Sequence, residues 1–341
     1  MSTSRRPTPT IHDVAQLAGV SSMTASRVVN DHPHVRPAVR AKVETAIATL
    51  GYRPNVLARA TRMGIAQVGM LYSNAGSSNL STYLMGAFRQ ASLSSCQLLV
   101  EPTQAHPTPA LAVRKLVEAG VGAVILPPPL CDDPAILESL AAAGVGAVRF
   151  ATAQPRQGPP AVFVDDFDGA RMMTQHLLDL GHVDIAFVRG AAEHSTAALR
   201  ERGFRETMAA RGLSVPEAYV ADGGFSYRGG LEAARRLLDV RPRPSAIFAA
   251  NDDMAAAANA VAHGLGLSVP ADLSIAGFDD TSVATTVWPE LTTIHQPIAD
   301  MAASAVRLAI ALARPGGEPV ESLQAELRLI ARASTAAPGH R

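Results

Sequence analysis

The sequence predicts an α/β protein with an N-terminal all-α helix-turn-helix head, a hinge helix, and a core of two lobes built on doubly wound parallel sheets. Helix-capping residues recur at short intervals in the first 53 residues, and strand-like apolar runs alternate with helical patterns from Ala66 onward. The chain of 341 residues is also too long for one hydrophobic core, so the part after the head suits two lobes.

The first two helices of the head are marked by their caps. Thr10 can accept the amide of Asp13, whose carboxylate also suits the positive end of the helix dipole. Gly19 permits the positive φ of a tight turn, and Ser21 then caps a second helix over roughly 22–30. Two short helices joined by a glycine turn predict a helix-turn-helix.

The second helix has one apolar and one polar face. Ala25, Val28 and Val29 fall at the i, i+3 and i+4 spacing of a buried stripe. The opposite face, which could reach the edges of DNA bases, carries Ser22, Met23, Ser26 and Arg27.

A third helix completes the head. It begins at Pro37, a favoured first-turn residue, and ends at Gly51. Three such helices can share a small core. The residues predicted to be buried on the third helix are Val39, Val43, Ile47 and Leu50.

Charge divides the chain in two. Residues 1–62 carry nine basic and three acidic side chains, a net charge of +6, which leaves −6 on the remainder of a chain that is neutral overall. This division predicts a head that neutralises DNA phosphates and a core that does not bind them. The alternative, a basic face that is merely solvated, does not account for the turn and caps that coincide with the charge.

Two stretches of the head carry a family pattern. Residues 13–30 read DVAQLAGVSSMTASRVVN, and residues 51–59 read GYRPNVLAR. They resemble the heads of LacI/GalR-family transcription regulators, which implies binding to double-stranded operator DNA. By position, the family's base-reading residues match Ser22, Met23 and Arg27, and its hinge helix includes Asn55, Ala58 and Arg59. The predicted DNA-binding set is Thr10, Ser21, Ser22, Met23, Thr24, Ser26, Arg27, Asn30, Arg36, Tyr52, Asn55, Leu57, Ala58, Arg59, Thr61 and Arg62.

Two head positions depart from the family pattern. Arg36 replaces the serine that usually precedes the third helix, and Thr61 replaces a leucine. In the family that leucine enters the minor groove and kinks the duplex, so the smaller, half-polar Thr61 leaves the strength of the kink open. Leu57 lies one helical turn earlier and could partly substitute.

From residue 66 the alternation of strands and helices predicts parallel βαβ units. The phrase GVGAV occurs at 120 and at 144, but its glycines precede a strand, so they end helices rather than form a dinucleotide-binding turn. The resemblance continues through ANDDMA at 250–255 and AGFDD at 276–280, and it implies a periplasmic-binding-protein-like core. The predicted domains are a helix-turn-helix domain at 1–53, a hinge helix and linker at 54–65, and a core at 66–341, with one lobe formed by 66–161 and 295–322 and the other by 162–294 and 323–335.

Polar side chains cluster where the apolar strands end, which is the edge of a parallel sheet at which ligands bind. Amides, carboxylates and guanidinium groups beside an aromatic ring suit a hydroxyl-rich small molecule, a sugar or sugar acid, because each hydroxyl both donates and accepts. By the family's motif positions, effector contacts are expected from Arg200, Asn251, Asp279 and Gln296, with Phe225 stacking on a sugar ring. The predicted effector-binding set is Tyr72, Ser73, Arg149, Arg200, Phe225, Asn251, Asp279 and Gln296.

An alternative interpretation applies to this set. Carboxylates and amides at strand ends also cap the helices that follow, and Asp252 and Asp280 are as well suited to be caps or hinge ligands as effector contacts. Arg149 carries a separate hypothesis. Many family members have a ligand-binding aspartate where this chain has Ala151, and a nearby Arg149 suggests an effector with a carboxylate or phosphate. Alternatively, Arg149 pairs with a neighbouring carboxylate such as Asp165.

The sequence lacks the features of competing classes of protein. It has no GxSxG, GxxxxGK[ST] or HExxH motif, so we expect no enzyme, no cofactor and no metal site. Cys96 and Cys131 lack CxxC spacing and are expected to be reduced thiols. A polar N-terminus argues against an exported sugar-binding protein, and no apolar run is long enough to span a membrane. These features predict a cytoplasmic, nucleoid-associated protein.

The remaining expectations concern assembly and regulation. One helix-turn-helix contacts one half-site, so a homodimer on a pseudo-palindromic operator is predicted. The tail after Arg332 has no leucine heptad, so no tetramer is expected, and the apolar segment 301–312 is either an interface helix or an ordinary core helix. The resemblance implies a transcriptional regulator, expected to be a repressor, whose operator affinity changes when an effector binds between the lobes.

Overall fold

The computed structural model describes residues 10–29, 34–50, 65–73, 76–314 and 320–339. The chain forms two compact units, Met1–Met63 and Gly64–Arg341. The first unit is the head together with most of the predicted hinge segment, and the second is the core.

The head contains three helices, α1 (Ile11–Ala18), α2 (Ser22–Val29) and α3 (Pro37–Leu50). The Thr10 side chain accepts from the Asp13 amide, and the Asp13 carboxylate accepts from the Thr10 amide at 2.7 Å, so the start of α1 is capped reciprocally. Gly19 has a φ of 65°, and the Ser21 hydroxyl accepts from the Thr24 amide at 3.2 Å. The prediction of a helix-turn-helix is confirmed.

Small side chains form much of the core of the described part of the head. Val29 and Val39, which were predicted to be buried, are only half-buried, whereas Ala46 is buried. Ile47 and Leu50 pack against the core from its edge. Alanines at the contacts let short helices approach closely, which places larger residues at the rim. The core consists of Val14, Ala15, Ala25, Val28, Val43 and Ala46.

The first lobe of the core is built on a six-stranded sheet. Its strands are β1 (Ala66–Tyr72), β2 (Cys96–Pro102), β3 (Ala123–Leu126), β4 (Gly146–Phe150), β5 (Ala161–Phe163) and β11 (Leu323–Gln324). They are parallel and lie in the order β11-β5-β4-β3-β1-β2. Four helices pack against the sheet, namely α4 (Leu80–Leu93), α5 (Pro109–Glu118), α6 (Pro134–Ala142) and α12 (Ile298–Ala313). Helices α4 and α12 share one apolar cluster with the sheet, and α5 and α6 share another, so the sheet is covered on both faces.

The second lobe repeats this design. Its strands are β6 (Ile185–Arg189), β7 (Val220–Asp222), β8 (Ala246–Ala249) and β9 (Ser274–Ala276), which are parallel in the order β7-β6-β8-β9. Its helices are α7 (Asp166–Asp179), α8 (Ser195–Ala210), α9 (Tyr227–Asp239), α10 (Asp252–Gly264) and α11 (Ser282–Thr286). Helix α7 packs on α8, and α9 packs on α10. An antiparallel pair, β10 (Thr293–His295) and β12 (Arg328–Ile330), lies beside β9.

Several predictions about the core are confirmed. Both lobes are doubly wound, as the alternation of strands and helices indicated. Gly120 and Gly144 have φ values of 81° and 66° directly after helices, as expected of C-terminal caps. The apolar segment 301–312 lies within α12, and most of its residues are buried in the apolar cluster of the first sheet, so it is a core helix.

The predicted lobe limits differ from the sheets by a few residues. Strand β5, most of which the sequence analysis assigned to the second lobe, pairs with β4 in the first sheet. Strand β11 pairs with β5 through Leu323 and Val162, so the first sheet also receives residues assigned to the second lobe. These strands have two and three residues, too few to show which sheet they join before the fold is known.

Candidate effector-binding cavity and nucleic-acid interface

A cavity of about 170 Å³ lies where the carboxyl ends of strands from the two sheets face each other. Parallel sheets place their ligand-binding loops at this edge, which is why residues distant in sequence meet here. Seven of the eight predicted effector-binding residues line the cavity: Tyr72, Ser73, Arg200, Phe225, Asn251, Asp279 and Gln296. Their contact with an effector stays a prediction.

Arg200 is the centre of a buried charge network beside the cavity. Its Nε donates to Asp166 at 2.7 Å, and one terminal nitrogen donates to the Ala250 carbonyl at 2.5 Å and to Asp279 at 3.2 Å. The guanidinium carbon lies 3.7 Å from the centroid of the Phe278 ring, a cation–π arrangement. Burial raises the pKa of both carboxyl groups, and the charge of Arg200 opposes that rise. The network therefore fixes the guanidinium in one orientation.

Asp279 receives hydrogen bonds from both lobes. Its Oδ1 accepts from Gln296 Nε2 at 2.6 Å, and its Oδ2 accepts from Asn79 Nδ2 at 2.8 Å, with Asn79 belonging to the first lobe. The Asp279 backbone has a φ of 112°, a value that side chains rarely adopt. Strained backbone of this kind is concentrated at ligand sites, where surrounding contacts maintain it.

An aromatic wall completes the cavity. Phe225 has a φ of 54°, and its ring covers Gly190 so closely that a Cβ at that position would overlap the ring. The His194 ring centroid lies 5.4 Å from that of Phe225, and burial lowers the pKa of His194, which favours the neutral imidazole. The apolar ring faces and fixed polar groups together suit a small polyhydroxylated ring.

The helix-cap alternative holds for some of the polar residues. Asn251 lines the cavity, but its side chain also accepts from the Met254 amide at 3.0 Å and caps α10. Asp252 is buried and does not line the cavity, and it accepts from the Thr281 amide at 2.7 Å. Asp280 accepts from Arg332 at 2.6 Å. Asp252 and Asp280 are therefore structural ligands that connect segments of the second lobe.

Hydrogen bonds join the two lobes directly at two places. Near β1, the Ser78 hydroxyl donates to Asp253, next to the Asn79–Asp279 bond. Near β3, the Ser195 hydroxyl donates to Asp132 Oδ2 at 2.6 Å. The lobes are thus in mutual contact around the cavity.

In the head, α2 presents the predicted outward face. Ser22, Met23 and Arg27 are exposed, and the Met23 side chain reaches 67% exposure with no role in the head core. Ser26 is half-buried, and Arg36 is exposed just before α3. A large exposed apolar side chain beside an exposed arginine suits contact with base edges in the major groove.

Other members of the predicted DNA-binding set serve the caps. The Thr10 hydroxyl belongs to the cap of α1, and the Ser21 and Thr24 hydroxyls lie 2.9 Å apart at the start of α2. These residues stabilise the first turns of α1 and α2, and their contact with DNA stays a prediction. The predicted residues that lie outside the described part of the chain are Asn30, Tyr52, Asn55, Leu57, Ala58, Arg59, Thr61 and Arg62.

Comparison with known proteins agrees with both regions. The profile described as "Bacterial regulatory proteins, lacI family" matches residues 10–55, and that described as "Periplasmic binding protein-like domain" matches residues 174–335. Catabolite control protein A of Priestia megaterium is 33% identical over 88% of this chain and 91% of its own length. The chain belongs to the LacI family of bacterial regulatory proteins.

Solved structures of LacI-family members extend the comparison to the fold. The transcriptional regulator CelR in complex with cellobiose aligns with a TM-score of 0.71 and 30% identity, covering 96% of this chain and 99% of CelR. The lac repressor dimer bound to operator and the anti-inducer ONPF aligns with a TM-score of 0.71 and 28% identity, with the same coverage. The two-unit architecture of this chain is therefore that of the family.

Arg149 is the one residue of the predicted effector-binding set that does not line the cavity of this LacI-family chain. Its Nε donates to the Pro159 carbonyl at 3.0 Å, and one terminal nitrogen donates to the carbonyls of Gln154, at 3.0 Å, and Gln157. The other terminal nitrogen lies 3.3 Å from Asp132. Asp132, and not Asp165, is thus the carboxylate partner. The hypothesis of an anionic effector loses its support because these bonds occupy the guanidinium.

Several cavity residues were absent from the sequence prediction. Asn79 directly precedes α4, and His194 and Thr196 lie at the start of α8. His194 and Thr196 belong to the segment that follows β6, and the rule that ligands bind after the strands of a parallel sheet could have pointed to them. Tyr83 and Phe150 complete the wall of the first lobe, with ring centroids 4.6 Å apart. Aromatic residues on a buried helix or strand carry no sequence signal that separates core packing from a cavity wall.

Among the described residues, no set of three histidine, cysteine, aspartate or glutamate side chains is arranged to hold a metal ion. No helix in the same ranges has the length and apolar character needed to cross a bilayer.

Proposed function

We propose that this chain is a transcriptional repressor that binds a pseudo-palindromic operator as a homodimer and changes its operator affinity when a neutral, monosaccharide-sized sugar binds between the lobes. The network of Arg200, Asp279 and Gln296 carries the proposal, because it fixes polar groups beside a cavity in a chain that also has a helix-turn-helix head. The operator-bound lac repressor dimer and the CelR–cellobiose complex provide precedents for DNA and sugar on this fold.

The charge of the cavity favours a neutral effector. Arg200 is already paired with Asp166 and Asp279, so this network has a formal charge of −1 when both carboxyl groups are ionised. His194, the other basic side chain among the described lining residues, is biased toward its neutral form by burial. An effector carboxylate would therefore meet excess negative charge, whereas sugar hydroxyls can donate to Asp279 and accept from Arg200.

The size of the cavity favours a single sugar ring. A cavity of about 150 Å³ can hold one six-membered ring, and this one has a volume of about 170 Å³ with the lobes in contact. Phe225 offers a flat apolar surface to the face of a sugar ring, and the amides of Asn251 and Gln296 and the carboxylate of Asp279 can bind the hydroxyls at its edge. This arrangement of apolar and polar walls suits a monosaccharide.

The homodimer is assigned to the exposed apolar face of α4. Met85, Phe88 and Leu93 are exposed on this helix, where a soluble monomer would usually present polar residues. We expect Phe88→Glu to shift full-length protein from dimer to monomer in light scattering after gel filtration. Val183→Glu, which changes another exposed apolar residue, in the second lobe, is the matched control. An unchanged mass for Phe88→Glu would place the interface elsewhere.

We infer that the protein does not turn over the bound sugar and that it acts in the cytoplasm on the nucleoid, where its operator lies. In the cavity the Ser73 hydroxyl donates to the Pro128 carbonyl at 2.9 Å instead of to a general base. DegA of Bacillus subtilis, to which this chain is similar, is an HTH-type transcriptional regulator.

The test is binding of purified protein to DNA from its own promoter region, followed by fluorescence anisotropy at physiological salt. Neutral pentoses and hexoses are compared with the aldonic and uronic acids of the same carbon skeletons. We expect one neutral sugar to change operator affinity by roughly 5- to 150-fold. A response to the acid alone would overturn the charge argument, and no preference for any promoter sequence would overturn the proposed function.

Arg27 provides a separate test of the head. Arginine on a recognition helix favours guanine, so Arg27→Ala should cost about 1–3 kcal/mol of operator binding while binding to random DNA changes little. Competition between operator and random duplexes measures the difference. An equal loss on both duplexes would show that Arg27 contacts phosphate.

A further inference from the structure

Asp132 and Arg149 form a charged pair in the first lobe, away from the cavity lining. Asp132 ends a short 3-10 helix, Leu130–Asp132, and Arg149 lies on β4. The Asp132 side chain is 16% exposed and that of Arg149 only 3%. Asp132 Oδ1 accepts from Arg149 and from the Thr152 hydroxyl, so this oxygen is used within the lobe.

The second oxygen of Asp132 points to the other lobe. Asp132 Oδ2 accepts from Ser195 Oγ at 2.6 Å, and Ser195 is the first residue of α8. Ser195 Oγ lies 3.4 Å from the Ala153 amide, which donates to it. One hydroxyl of the second lobe is therefore met by an acceptor and a donor of the first lobe.

Arg149 positions both of these partners. It holds Asp132 through a charged contact, and it holds the loop 152–160, which carries Ala153, through the carbonyls of Gln154, Gln157 and Pro159. A single buried guanidinium thus sets the relative position of the carboxylate and the amide that Ser195 meets. Preorganised partners lose little conformational freedom when the third group arrives.

We infer that Asp132, Arg149 and Ser195 form an interlobe latch that stabilises the closed arrangement of the lobes without an effector. Asp132 and the Ala153 amide bind the Ser195 hydroxyl when the lobes meet, and Arg149 is the positioning residue. A hydrogen bond to a carboxylate is stronger than one between neutral groups, which gives this contact more effect than ordinary packing.

The latch bears on whatever the cavity binds. His194 and Thr196, which flank Ser195, line the cavity, so the latch and the effector act on the same turn of the chain. The apparent affinity for a ligand rises with the fraction of molecules that are already closed. Because the latch raises this fraction in the free protein, it should also raise the apparent affinity for the ligand. This consequence holds for any cavity ligand, since the latch itself is a property of the two lobes.

The test is hydrogen–deuterium exchange of the full-length protein without added sugar. In Ser195→Ala we expect faster amide exchange at 127–133 and 152–160, and also at 76–80 and 250–254, where Ser78 meets Asp253. Exchange at the second pair of segments should rise roughly fivefold to tenfold, because opening at one contact exposes the other. Ser195→Thr keeps the hydroxyl and should restore the exchange rates of the wild type.

Arg149→Lys tests positioning, because lysine keeps the charge and loses the fork that binds the loop carbonyls. It should raise exchange at 76–80 and 250–254 as Ser195→Ala does, although Arg149 makes no described hydrogen bond to the second lobe. Faster exchange confined to 127–133 and 152–160 in both variants would show that the contact is local and would overturn the latch. The readout needs neither operator nor effector, so it is decided separately from the proposed function.

Discussion

Arg149 and Arg200 are both buried, both paired with aspartate and both near the carboxyl edge of a sheet, yet they do different work. Arg149 directs most of its hydrogen bonds to carbonyls of its own loop and lies outside the cavity lining. Arg200 binds two carboxylates, stacks on Phe278 and lines the cavity. The hydrogen-bond partners of these two buried guanidinium groups, and not their burial, distinguish the arginine that lines the cavity from the one that does not.

The two arginines also differ in the charge that they balance. Arg200 serves Asp166 and Asp279, whose side chains are 1% and 7% exposed. Arg149 balances the charge of Asp132 alone, whose side chain is 16% exposed and therefore more accessible to water. The loss of Arg200 should therefore be the more damaging of the two, because it strands two carboxylates that cannot be hydrated.

Arg200→Met should show the largest effect. Two buried carboxylates without a counter-charge should lower the free energy of unfolding by about 3–5 kcal/mol and abolish the response to sugar. Urea unfolding followed by circular dichroism gives the first quantity and operator anisotropy the second. Arg205→Met on the same helix is the control, since Arg205 pairs with Glu201 and the largely exposed Glu217. A loss of similar size in the control would mean that α8 tolerates no methionine.

Arg149→Met should be less damaging. We expect a loss of about 1–3 kcal/mol in the free energy of unfolding, because carbonyls and one carboxylate lose a donor but lie near solvent. Sugar binding should weaken yet persist, in contrast to Arg200→Met. Urea unfolding and sugar titration of the two variants side by side provide the measurement, and complete loss of sugar binding in Arg149→Met would break the comparison.

Asp252 sharpens the comparison as a buried carboxylate with no arginine partner among its described bonds. Burial, with a contribution from the charge of Asp279, raises the pKa of Asp252 to about 7. The unfolded chain releases this proton near pH 4 and the folded chain near pH 7, so the free energy of unfolding should fall as pH rises between these values. We expect Asp252→Asn to reduce the fall between pH 5 and pH 7 by about 2 kcal/mol. Urea midpoints at the two pH values measure it, and an identical fall in both proteins would contradict the assignment.

Gly190→Ala should combine a modest effect on stability with a selective effect on binding. A Cβ at Gly190 would overlap the Phe225 ring, so the ring should leave its position at a cost of about 1–3 kcal/mol. Sugar affinity should fall while operator binding without sugar persists. Gly264→Ala, at the end of α10 with open space around it, should instead gain up to about 1 kcal/mol. Calorimetric titration with the active sugar compares them, and equal affinities would remove Phe225 from the site.

Local signals in the sequence predicted the features that depend on local chemistry. Thr10, Gly19 and Ser21 mark helix ends through hydrogen bonds that span three or four residues, and the structure has these caps. Strand ends were predictable for a similar reason, because an apolar run that stops at polar residues marks the edge of a sheet. The sequence therefore predicts that Asn251 and Asp279 lie near each other, and both line the cavity.

Contacts that depend on loop paths were not predictable. Arg149 meets the carbonyls of Gln154 and Pro159 because the loop 152–160 folds back beside β4, and no periodic pattern in the sequence records such a path. Ser195 meets Asp132 from another lobe, across 63 positions of the chain. The prediction that Arg149 contacts the effector lacks support from the structure. The sequence shows the charge of Arg149 but not which acceptors it binds.

Ala151 gives the cavity a position that can be redesigned. It lines the cavity at the end of β4 with a φ of 52°, a conformation that asparagine and aspartate adopt more readily than alanine. Either residue would add a hydrogen-bonding group to the wall while easing the backbone. Because the hydrogen bonds of Arg200, Asp279 and Gln296 do not involve Ala151, substitution at this one site offers a route to sensors with a different sugar specificity.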